Sequence, residues 1–116
     1  MSLYEIIGLV AVEIIGDFAL KEYANAGGIR NLAMGVAGYL GVVIMLVVSL
    51  QGSTVLMVNS AWDGISGLME SAAAFIFLGE RFDSYLQYIG VAFIILGVYF
   101  LKIPTTKKHP FYIPSL

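Results

Sequence analysis

Four long apolar runs, separated by only a few polar residues each, leave this 116-residue chain little freedom in how it folds. A helix needs about 20 residues, within a range of roughly 17–25, to cross the hydrocarbon core of a bilayer. Runs of that length lie at about Leu3 to Leu20, Leu32 to Leu50, Thr54 to Leu78 and Tyr85 to Ile103. Between them stand Lys21, Glu22, Asn25, Gly27, Gly28, Arg30 and Asn31, then Gln51, Gly52 and Ser53, then Gly79, Glu80, Arg81, Asp83 and Ser84. Connections this short make consecutive helices antiparallel neighbours. The expected fold is therefore all-α: a four-transmembrane-helix bundle over residues 1–103, followed by a short tail over 104–116. All three prolines fall in that tail, together with His109, which is read there as a solvated residue.

Composition supports lipid as the surrounding solvent. The chain is 59% hydrophobic and 12% charged, against about 45–50% and about 25% in soluble domains. A soluble chain this short cannot bury so much apolar surface. A net charge of -2 without a basic cluster excludes nucleic acid as a partner. The absence of cysteine excludes disulfides and thiolate metal sites. No nucleophile–base pair, phosphate loop or metal-ligand cluster stands apart from the acids considered next, so neither an enzyme nor a cofactor is expected. Ala24-Asn25-Ala26 has the small residues of a leader cleavage site. The preceding stretch lacks a basic start, however, and its apolar run is broken by Glu13 and Asp17, so a cleaved leader is not expected. The expected location is the cell membrane, spanned several times. Lys21, Arg30 and Arg81 fall on one side and Lys102, Lys107 and Lys108 on the other. Such balance permits insertion both ways and thus an antiparallel homodimer. A fixed topology with both termini inside fits equally.

The informative residues are acids where lipid should be. Glu5, Glu22, Glu80 and Asp83 fall near helix ends, but Glu13, Asp17, Asp63 and Glu70 do not. A charge at the bilayer centre costs roughly 2.5–3.5 kcal/mol on insertion scales. Glu13 and Asp17 are four apart and share a helix face. Asn59, Asp63, Ser66 and Glu70 form one stripe on the third run, flanked by Gly64, Gly67 and Ser71. Turned inward, the two stripes make an anionic, wet cavity without a built-in counter-ion, as a cation or proton site requires. Hydrogen-bonded packing of protonated acids is the alternative. Asp17, about one turn from its helix end, is read as reaching the interface instead. Tyr39 needs a hydroxyl partner and can donate to a carboxylate. Trp62 is either packing or a cavity wall that attracts cations through its ring face. The candidate substrate and proton site is thus Glu13, Tyr39, Asn59, Trp62, Asp63 and Glu70. Gly90 and Gly97, seven apart on the fourth run, offer a face for close helix approach, as do Gly35, Gly38 and Gly41 on the second.

Val12-Glu13-Ile14-Ile15-Gly16 followed by Leu20-Lys21 resembles the first-helix motif of the small multidrug resistance transporters, and Tyr39 and Trp62 fall at that family's spacings from Glu13. Gly79-Glu80-Arg81-Phe82-Asp83 is similar to that family's loop before its last helix, and Gly90 to Val98 to its dimerising glycine motif. The resemblance runs to Ile103 and implies an antiparallel dimer, a homodimer or a pair of homologues, in which two Glu13 equivalents exchange protons for a cationic substrate. Tyr39 and Trp62 would line that site and Gly90 and Gly97 the dimer contact. Asn59 stands where the family commonly has tyrosine, Thr54 near a usual proline, Asp63 in place of a serine and Glu70 in place of an apolar residue. These departures make the cavity more acidic and less aromatic, favouring small or polyvalent cations such as quaternary ammonium, guanidinium or polyamine compounds. Two other readings remain: a subunit of a heteromeric transporter or lipid-carrier translocase, and a structural membrane protein whose acids merely pack. Because four helices enclose little space, a second subunit is expected to complete the cavity.

Overall fold

The computed structural model describes residues 1–106 and 111–116, so Lys107, Lys108, His109 and Pro110 lie outside the described residues. The described chain is all-helical: α1 (Leu3–Ala26), α2 (Ile29–Leu50), α3 (Val55–Phe77) and α4 (Tyr85–Leu101). Each start is set by local chemistry. Ser2 caps α1 through a reciprocal box with Glu5, and the Met1 amine lies 3.8 Å from the same carboxylate. Thr54 accepts from the Met57 N–H at 3.0 Å to begin α3. Ser84 and Gln87 form a second capping box for α4.

Three helix ends differ from the expectation drawn from hydropathy. Helix α1 continues six residues past Leu20, and α2 begins three residues before Leu32, so the connection shrinks to Gly27 and Gly28. Lys21, Glu22 and Asn25 end the apolar run, but charge is no helix breaker, and lysine and glutamate are good helix formers. The chain turns only where both glycines take positive φ, at 72° and 100°. At the other end α4 stops at Leu101, before the expected Ile103. Lys102 there adopts φ 48° in the left-handed region, and Ile103, preceding Pro104, is biased away from the helical conformation.

Helices α1 and α2 form the tightest pair. A Cβ built on Gly38 would meet the Gly16 Cα at 2.7 Å and the Gly16 N at 2.8 Å, so the two backbones touch there. Gly35 lies against Leu20 and Gly41 against Val12, and these descending partners make the pair antiparallel. Helix α3 packs along α1 and touches α2 only narrowly, while α4 rests on α3. The four helices therefore form an open slab, 41 × 38 × 18 Å, in place of a closed bundle. Its small core gathers Met1 with Ile6, Leu9, Val10, Val42, Val58, Ala61 and Ile65 of the first three helices.

Much of the outer surface is apolar. Leu40, Val43, Ile44 and Val47 of α2, and Phe93, Ile95, Tyr99 and Phe100 of α4, are exposed. Helix α2, with 22 residues and a mean hydropathy of 2.3, is long and apolar enough to cross a membrane. Its rise of about 33 Å matches a hydrocarbon core of about 30 Å. Helix α4 is apolar but shorter, at 17 residues. None of its residues is buried, and neither Gly90 nor Gly97 has an atom within 4 Å of where a Cβ would stand.

Gly38→Ala is expected to destabilise the fold by about 1–3 kcal/mol, because the added methyl meets backbone that cannot rotate away. Gly90→Ala, which meets nothing, is expected to leave the monomer unchanged. Thermal unfolding of the two variants in detergent compares them directly.

Candidate functional site

The acids of α1 and α3 converge. Glu13 and Asp17, one turn apart on α1, face Glu70 on α3, and the three carboxylates each place an oxygen within 4.8 Å of the others. All three are half-buried. The register is parallel: Glu13 meets Ser66, and Asp17 meets Glu70 one turn further on. The Ser66 hydroxyl donates to Glu13 and lies 3.3 Å from Glu70 Oε2, so one buried serine connects both helices. The Tyr39 hydroxyl of α2 donates to Asp17. The α1–α2 contact holds that ring in place, since a Cβ on Gly16 would stand 2.9 Å from the Tyr39 ring edge.

Among the described residues, none of these three carboxylates forms an ion pair with a lysine, arginine or histidine. Carboxylates this close repel one another when charged. Positive charge, as a proton or a cation, is what such a trio lacks. The arrangement can bind a cation through up to three carboxylates, with two hydroxyls that turn to donate or to accept.

Of the residues singled out from sequence, Glu13, Tyr39 and Glu70 meet here. The expected stripe on α3 splits. Ser66 and Glu70 turn towards α1, whereas Asn59 and Asp63 are exposed on the outer side of the helix. Trp62 packs against the apolar core, and its buried indole N–H has no hydrogen-bond partner in the described structure. Asp17, read from sequence as an interface residue, is instead an integral member of the cluster. Its spacing of four from Glu13 carried that signal, which helix-end distance overrode. Ser66, a stripe residue, joins it as the bridging hydroxyl.

Next to the trio, towards the end of α1, a cavity of about 420 Å³ opens between α1, α3 and the α3–α4 connection. The single chain thus shapes an open cleft of ligand size. Half-buried Asp17 and Glu70 line its inner side, exposed Lys21, Glu80 and Arg81 its mouth, and Phe75 also lines it. Lys21 is ion-paired with Glu80 across the mouth. The Arg81 guanidinium stacks 3.6 Å above the centre of the Phe75 ring. These basic residues lay outside the sequence reading of the site because they punctuate helix ends.

No protein-family model matches this chain, and no curated protein or solved structure matches it either. What fold and site together define is an all-helical protein of four helices with a three-carboxylate cluster between the first and third.

Asp17→Asn keeps an acceptor for Tyr39 while deleting one charge from the crowded trio. It is expected to raise stability by about 1 kcal/mol near neutral pH, the size of a typical stability–function trade-off. Chemical unfolding of the purified variant checks this. A loss of stability would mean that the acids serve as packing.

Proposed function

We propose that this chain is a membrane-spanning, proton-coupled antiporter that exports small or polyvalent organic cations of the quaternary ammonium, guanidinium or polyamine kind. One observation carries the reading: Glu13, Asp17 and Glu70 each place an oxygen within 4.8 Å of the others, without a basic partner among the described residues. Such a cluster is tolerable in a low-dielectric interior only with positive charge bound, and protons and cations then compete for the same oxygens. The membrane part of the reading rests on α2, long and apolar enough to span, and on the exposed apolar faces of α2 and α4. Contiguous apolar surface of this kind marks contact with lipid or with another protein.

The resemblance of Val12 to Gly16, Leu20-Lys21 and Gly90 to Val98 to the small multidrug resistance transporters points the same way. In the working cycle Glu13 and Glu70 release protons as the cation arrives, and the Ser66 and Tyr39 hydroxyls reorient to stay paired. Rocking of one half of the assembly against the other then alternates access to the site. The uncovered face of α4 supplies the contact with a second copy or a homologous partner, with Gly90 and Gly97 allowing close approach. Asn59 and Asp63, exposed in the single chain, become available to a cavity shared with that partner.

Reconstituted protein is expected to release protons when a quaternary ammonium or guanidinium compound is added, and Glu13→Gln to reduce coupled exchange by at least about 100-fold. Unaltered exchange by Glu13→Gln would sink the mechanism. Gly97→Leu is expected to lower the dimeric fraction in crosslinking while leaving monomer stability unchanged, since among the described residues nothing lies within 4 Å of where its Cβ would stand.

A further inference from the structure

The cavity beside the trio carries charges of both signs in a definite order. Asp17 and Glu70 stand at its inner side, and Lys21, Glu80 and Arg81 at its mouth. The two bases are not equivalent. Lys21 is taken up by Glu80, whereas Arg81 has no carboxylate within ion-pair distance among the described residues.

Arg81 is nonetheless held in place. Its Nη1 donates to the Phe75 carbonyl at 2.8 Å and the Glu80 carbonyl at 2.7 Å. The guanidinium plane also lies over the Phe75 ring, 3.6 Å from its centre. Attraction between a guanidinium and a ring face orients the group as well as retaining it. The Nη2 and Nε donors have no partner among the described residues. A planar fork with free donors and a fixed orientation is suited to binding a carboxylate or another anionic oxygen pair.

A cavity meant only for polyvalent cations would gain nothing from a fixed, uncompensated arginine at its mouth. A molecule with one cationic and one anionic end meets both halves of the lining.

On the reading above that this site takes organic cations, we infer that its preferred ligand is a small zwitterion. The cationic head sits between Asp17 and Glu70, and the anionic end is received by Arg81. Phe75 and Phe82 supply apolar wall between the two ends. The volume of about 420 Å³ lies within the ordinary range for small-molecule sites. Lys21 is a reserve anion partner, engaged by Glu80 in this state.

Calorimetric titration of the full chain in lipid nanodiscs tests the inference with three probes: trimethylglycine, its cationic methyl ester, and tetramethylammonium. Trimethylglycine is expected to bind at least about tenfold tighter than either cation, the usual yield of one charge-assisted contact. Arg81→Gln should remove that advantage while changing the affinity of the two cations by less than about threefold. Glu80→Gln, which frees Lys21, should strengthen trimethylglycine binding selectively. If the cations bind and Arg81→Gln leaves trimethylglycine unaffected, the zwitterion inference is overturned while the cation site stands. If none of the three probes binds, the cation-site reading fails, and this inference fails with it.

Discussion

Helices α1 and α2 touch backbone to backbone where Gly16 meets Gly38, and the geometry of the site descends from that contact. Any side chain at Gly38 would strike main-chain atoms, which have no rotamer to escape into. The closeness brings Tyr39, the next residue on α2, against α1 beside Gly16, within reach of Asp17. With α2 so near, α1 has one broad side left for α3, and Glu13 and Asp17 lie on it. Packing of residues without side chains thereby governs where three charged ones are placed.

The trio is also where stability and use pull apart. Hydrogen bonds from Ser66 and Tyr39 orient the carboxylates without neutralising them. The nearby bases do not neutralise them either: Lys21 is held by Glu80, and Arg81 is held over Phe75. A site evolved only for packing would have drawn one of those cations inward, since a desolvated pair is far less costly than a desolvated charge. The trio and Arg81 are thereby left without an ion-pair partner among the described residues.

The slab shape has a related meaning. With α4 resting on α3 alone, two helix faces and the outer side of α3 stay uncovered. A protein that finished its packing within one chain would not leave a largely apolar helix with no buried residue. Lipid covers such a helix at no cost, and a second subunit covers it with added contact.

Much of this was legible in the residues. Four helices follow from four apolar runs, because backbone polar groups within apolar surroundings must be satisfied inside each segment. The spacing of four between Glu13 and Asp17, and between Ser66 and Glu70, put each pair on one face whatever the tertiary structure. Helix ends were less legible, because hydropathy reports where charge begins and not where the backbone turns. Lys21 and Glu22 thus read as a loop although they continue α1, and only the paired glycines stop it. What tertiary structure alone decided is the rotation of each helix about its axis. That rotation placed Asp17 inside and Asn59 and Asp63 outside, and it brought Arg81 to the mouth of the same cavity as Glu70. Periodicity names the residues that share a face, but which face meets a neighbour depends on side-chain packing between helices distant in sequence. No single run of residues contains that information.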